Sequence, residues 1–205
     1  MGTPLVIGVL GGIASGKSLV ARLLVAPDGF VISADEIAHE VLASDAVTER
    51  VRAEFGDALL GTDGRPDRAA LGRLVFADPA AREKLEGWTH PAVRARIGAR
   101  LEEARRANVT RVALDVPLLL ENDDQHGLAR VCEALVFVES DAQERERRAV
   151  QSRGWEPGEV ARREAFQMPL EEKRERADYI VSNTGTLDEL KHAVAEVLAA
   201  LSSRS

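Results

Sequence analysis

A single cysteine, Cys132, stands in the 205-residue chain, so no disulfide can form within it. That fits a reducing compartment, and Cys132 reads as a small apolar side chain at a strand entrance. Surplus basic charge is missing too: 34 Asp and Glu outweigh 27 Lys and Arg, for a net charge of −7. A nucleic-acid surface needs a basic face, so nucleic acid is not expected as a partner. No apolar run approaches the roughly 20 residues that cross a bilayer. No basic segment precedes the apolar stretch near the amino end, as a secretory signal would require. His39, His126 and His192 lack the spacing of a metal site. Neither an internal repeat nor a low-complexity tract occurs. The expectation is a soluble cytoplasmic protein without a membrane partner, with 45% hydrophobic residues to build a core.

The amino end carries the strongest signal. Leu5-Val6-Ile7-Gly8-Val9-Leu10 reads as a buried parallel strand. It runs directly into Gly11-Gly12-Ile13-Ala14-Ser15-Gly16-Lys17-Ser18, the spacing G-x-x-x-x-G-K-S. Glycines let such a loop turn tightly and approach an anion, while its N–H groups and the next helix's positive end face that anion. Lys17 would reach the β- and γ-phosphates of a nucleotide, and the Ser18 hydroxyl would be a Mg²⁺ ligand. A glycine-rich turn without a ligand is the bland alternative. The strand before it, and Val20, Leu23 and Leu24 on one helical face after it, favour the phosphate loop.

Three further segments read as short buried strands, Phe30–Ser33, Arg111–Val116 and Ala134–Val138, with Tyr179–Val181 a weaker one. Helical patterns alternate with them, which implies an α/β fold with a parallel sheet. The last helix carries Leu187, Leu190, Val194, Val197, Leu198 and Leu201 at helical spacing. Roughly 75 residues separate the second and third strands, where a simple crossover needs about 12. Asp78-Pro79 has the form of a helix start, and Pro91 can open another helix with Val93, Ile97, Leu101 and Ala104 on one stripe. Residues 36–110 therefore read as a helical insertion beside a core formed by 1–35, 111–140 and 177–205. From 141 to 176 the chain is dense in Arg and Glu. Two solvated helices and a mobile lid that closes over phosphates are both open there.

Acids that could do chemistry should sit at the carboxyl ends of the strands. Asp35, two residues past the second strand, reads as an N-cap, a general base, or both. Asp115 is either an ordinary strand-end acid or part of a Mg²⁺ shell. Glu121, after Pro117-Leu118-Leu119-Leu120, is a cap or a site residue, and His90 in Trp88-Thr89-His90-Pro91 is structural or ligand-facing. Trp88 and Trp155 read as packing residues.

With these motifs assembled, the chain resembles the dephospho-CoA kinases over nearly its full length. The resemblance rests on GGIASGKS, ISADEIAHEV, Asp67-Arg68 leading into LGRLVFADP, WTHP at 88–91, DVPLLLE at 115–121 and QMPLEEKRERADYIVSNTG at 167–185. It implies a P-loop NTPase core of the nucleoside-kinase type in three layers, a helical CoA-binding insertion and a helical lid. It implies ATP with Mg²⁺ as donor and the ribose 3′-hydroxyl of dephospho-CoA as acceptor. Asp35 would orient or deprotonate that hydroxyl, with Lys17 and a lid arginine, Arg148 or Arg153, on the transferring group. Arg68, His90 and Glu121 would face the acceptor, and Asn183 and Gly185 the adenine. Two departures stand out: Ser33 replaces a frequent Asp, and Leu10 a frequent Thr. The spacing from Arg148 to Arg153 is one residue longer than usual. Asn-Lys-x-Asp, the mark of guanine-specific switches, is absent.

Overall fold

The computed structural model describes residues 3–203. In chain order the elements are β1 (Leu5–Gly11), α1 (Lys17–Val25), β2 (Phe30–Ser33), α2 (Ala34–Leu42), α3 (Asp45–Phe55), α4 (Arg68–Ala77) and α5 (Pro79–Arg106). They continue as β3 (Arg111–Asp115), α6 (Asp123–His126), β4 (Ala134–Glu139), α7 (Ala142–Arg153), α8 (Glu159–Glu164), α9 (Leu170–Glu175), β5 (Tyr179–Ser182) and α10 (Leu187–Ser202). The chain divides into two units. Ala34–Arg100 form one, and the residues through Ser33 and from Leu101 onward form the other.

The larger unit is an α/β fold whose five-stranded sheet has the order β2-β3-β1-β4-β5, every pairing parallel. β1 lies between β3 and β4, and the order turns about it, the position where open parallel sheets bind ligands at their carboxyl ends. Alternation along β1 sets its two faces. Ile7 and Val9 join Val20, Leu24, Val136, Val181, Leu190, Val194, Val197 and Leu201 in one core under α1 and α10. Each such side chain, fully buried, contributes about 1.5–3 kcal/mol. Gly8 faces the opposite side, where Leu119, Leu135 and Cys132 approach its backbone too closely for a Cβ. Cys132 is half-buried before β4, its Sγ donates to the Leu128 carbonyl, and burial pushes its thiol up to about 12. It is an inert packing group.

The smaller unit is helical. Ile37, Val41, Val47, Val51, Leu71, Ala81 and Ile97 are buried in it, and the Phe55 and Trp88 rings pack at a tilt with centroids 5.6 Å apart. Asp67 caps α4 by accepting from the Ala69 and Ala70 amides. Two local expectations fail here. Pro91 opens no helix; it sits inside the 28-residue α5. Ile97, Leu101 and Ala104 bury one face beyond it, and Thr89 Oγ1 donates to the Leu85 carbonyl just before it. Burial along one axis outweighs the roughly 3 kcal/mol that an interior proline costs. Asp35 is not an N-cap either: α2 begins at Ala34, which puts Asp35 in its first turn, where the helix dipole favours a carboxylate.

The arginine-rich stretch forms three helices, α7 to α9, rather than two solvated ones. Arg145 and Lys173 are 6% and 2% exposed. Lys173 Nζ pairs with Glu121 Oε1 at 2.7 Å, and that oxygen also accepts from the Met168 amide. Glu121→Ala should strand a buried ammonium and lower the unfolding free energy by about 3 kcal/mol. The double change Glu121→Leu with Lys173→Met should recover most of that loss. Urea midpoints measure both, and a loss below about 1 kcal/mol would show that water reaches Lys173.

Candidate active site

The junction of β1 and α1 is built by close packing. Gly11 has φ 145°, and a Cβ there would stand 2.8 Å from the Val138 carbonyl of neighbouring β4. Gly16, with φ 96°, is the N-cap of α1, and a Cβ would meet the Asn183 amide at 2.3 Å. Ala14 is also left-handed, with φ 57°. Three carbonyls of this loop are engaged by side chains. Lys17 Nζ donates to Gly12 at 2.7 Å and Gly11 at 3.2 Å. The Ser15 carbonyl accepts from Asn183 Nδ2 at 2.7 Å and Arg148 Nη1 at 3.3 Å. Such a loop presents amides, not carbonyls, to a bound anion.

Ser18 Oγ donates to Asp115 Oδ2 at 2.5 Å. β1 and β3 pair in parallel, which delivers the acid at the end of β3 beside the start of α1. Ser33 of β2 is level with Asp115, so the chain leaves β2 there and reaches Asp35 two residues later. A hydroxyl and a carboxylate side by side fit Mg²⁺, which takes few protein oxygens and completes its shell with phosphate and water. Among the described residues no group of three His, Cys, Asp or Glu could hold a metal unaided.

The Lys17 ammonium is pushed down to about 8, first by burial and then by Lys173 and Arg153, with Asp115 and Glu164 opposing. Arg148 lies against the loop through Ser15, also reaching the Asn183 carbonyl and, through Nε, Glu144. Arg153 stacks on the Trp155 ring at 4.9 Å. Asn183 is buried and braces the loop, whereas Gly185 lies against the Glu189 carboxylate that caps α10. Glu121 is held by Lys173.

In the helical unit, Asp35, Glu36, His39, Glu40 and Arg68 line an open hollow of about 460 Å³. Arg68 Nη1 lies 2.8 Å from His39 Nδ1. His90 is exposed on α5 and does not line this hollow. Three residues at the loop went unnoticed in the sequence: Arg145, Glu164 and Lys173. Arg145 pairs with Glu164, whose carboxylate accepts from the Ile13 amide at 2.8 Å. Nothing in a run of Arg and Glu marks which of them are buried.

A bound phosphate favours the ammonium form of Lys17, so binding raises its pKa and draws a proton from solution. Near pH 8 about half of Lys17 is neutral beforehand, and ATP binding should take up about half a proton. Uptake should vanish toward pH 6.5, and affinity should fall as pH rises past about 8. Calorimetry in buffers of differing ionisation enthalpy measures this; no uptake at pH 8 would remove Lys17 from the phosphate site.

The chain is similar to known proteins along most of its length. The family model described as dephospho-CoA kinase matches residues 5–189. The dephospho-CoA kinase of Symbiobacterium thermophilum is 44% identical over 190 residues, covering 92% of this chain and 78% of its own. The crystal structure of TT1252 from Thermus thermophilus is 39% identical with TM-score 0.78, covering 98% of this chain and 99% of that one. The dephospho-CoA kinase from Campylobacter jejuni is 25% identical with TM-score 0.68, covering 98% of each chain. A phosphate loop at the central strand, an acid beside its serine and matches along almost the whole length lead to one assignment: the chain belongs to the dephospho-CoA kinase family.

Proposed function

We propose that this chain transfers the γ-phosphate of ATP to the ribose 3′-hydroxyl of dephospho-CoA, releasing CoA and ADP, with Asp35 as the base. The observation that carries the reading is the loop Gly11–Ser18, with the Gly12 and Ser15 carbonyls bonded to Lys17 and Asn183 and Ser18 bonded to Asp115. The ATP phosphates lie on the amides of Gly11, Gly12, Ile13, Ala14, Ser15, Gly16, Lys17 and Ser18. Asn183 and Gly185 border the adenine. Ser18 and Asp115 would hold Mg²⁺, which would supply neutralisation of the phosphate charge.

Residues 36–110 bind the acceptor, with Arg68 toward its anionic groups; His90 and Glu121, which the resemblance also assigns to the acceptor, are not among the residues that line the hollow with Arg68. Asp35 takes the hydrogen of the 3′-hydroxyl as that oxygen attacks phosphorus and the bond to the ADP oxygen breaks. Lys17 and Arg148 stabilise the negative charge that shifts onto the leaving oxygen. Residues 141–176 act as the lid that keeps water out. The substrates are small molecules, and the reaction belongs in the cytoplasm. No helix among the described residues is long and apolar enough to cross a membrane.

Coupled detection of ADP with ATP and dephospho-CoA tests this reading. Asp35→Asn should cut turnover roughly 10²–10⁴-fold and leave ATP affinity nearly intact. Lys17→Ala should weaken ATP binding as well as rate. Wild-type turnover in the first variant removes Asp35 from the chemistry, and an unchanged nucleotide titration in the second removes the loop.

A further inference from the structure

Glu164 is the charged group at the loop for which the phosphate reading has no use. It ends α8, and its Oε1 accepts both from the Ile13 amide at 2.8 Å and from Arg145 Nη1. A Cβ on Gly12 would stand 2.8 Å from that oxygen and 2.5 Å from Arg145 Nη1, so the pair lies directly on the loop. The Glu164 charge also reaches Lys17, where it favours the ammonium. A loop amide, a guanidinium and the loop lysine are the donors that a phosphoryl oxygen takes. Two more donors wait beside them: the Nε of Arg145, a residue 6% exposed, and the Ser15 hydroxyl, 1% exposed, both buried without a partner.

We infer that Glu164 is a resident anion at the phosphate loop, which the polyphosphate of ATP must displace, and that Arg145, once released from it, turns to the phosphates. The inference rests on the reading of Gly11–Ser18 as the ATP phosphate site. A carboxylate and a phosphate oxygen cannot both occupy the Ile13 amide. Apparent ATP affinity is therefore the intrinsic affinity reduced by the fraction of molecules in which Glu164 is away. A nucleoside monophosphate lacks the outer phosphates that meet Lys17, and it leaves Glu164 seated. The contact thus makes the loop selective for ligands with outer phosphates, and couples their arrival to release of α8.

Glu164→Gln keeps the shape and removes the charge. By calorimetry it should tighten ATP binding roughly tenfold and leave AMP binding within about twofold of wild type. Glu159→Gln is the control, since Glu159 is on the same helix but is paired with Arg162 and Arg163. It should change neither affinity. Equal or weaker ATP binding in Glu164→Gln overturns the inference. So does an equal gain for AMP or in the control, because then only a general field has changed. A second readout leaves the contact intact. Trp155 stacks on Arg163, the neighbour of Glu164, at 4.3 Å. In Trp88→Phe protein, ATP should alter Trp155 emission and AMP should not; unaltered emission at saturating ATP overturns the displacement. If wild type binds no ATP, or Lys17→Ala binds it equally well, the loop assignment itself fails. If both behave as expected and Glu164→Gln gains nothing, only the resident anion fails.

Discussion

The direction in which one short stretch of backbone points governs the rest of the molecule. Between the end of β1 and the start of α1 the carbonyls of Gly11, Gly12 and Ser15 are all bonded to protein donors. The turn that brings them there is tight, with Gly11 against Val138 and Gly16 against Asn183. β4 and the chain after β5 supply those two walls, and the sheet order sets β4 beside β1. The parallel sheet is thus the frame that fixes one loop. Asp115 meets Ser18 for the same reason, because the neighbour on the other side of β1 is β3.

Charge around that loop runs against the chain as a whole. The protein carries −7 overall, yet Lys17, Lys173, Arg145, Arg148 and Arg153 gather at or near the loop. Local cations matter more to an anionic ligand than net charge does. Lys17 is held by the Gly11 and Gly12 carbonyls, and the other four by an acid or an aromatic ring: Lys173 by Glu121, Arg145 by Glu164, Arg148 by Glu144, and Arg153 by Trp155. Restraint limits mutual repulsion among these cations, while burial, followed by the charges of Lys173 and Arg153, pushes the Lys17 ammonium down to about 8.

Much of this was legible in the sequence, because the signals were local. β2 runs over Phe30–Ser33 as its apolar run indicates, and G-x-x-x-x-G-K-S sits between strand and helix as the phosphate-loop reading requires. Asp78 accepts from the Ala80 and Ala81 amides at the start of α5, as an Asp-Pro pair implies. The misreadings have a common cause. At Pro91 and in the first turn of α2, long-range burial or a one-residue shift overrides the local rules for proline and caps. Glu164 and Lys173 were invisible because an Arg- and Glu-rich segment has no periodicity that says which charge turns inward. Only the packing of α7 to α9 decides that.

The amide resonances of the loop, followed by two-dimensional nitrogen–proton spectroscopy during titration with ATP and then adenosine, test the central claim most directly. The expected result is that ATP shifts the amides of Ile13 through Ser18 more than any other group, while adenosine leaves them in place. ATP binding that moves only signals far from this loop would contradict it.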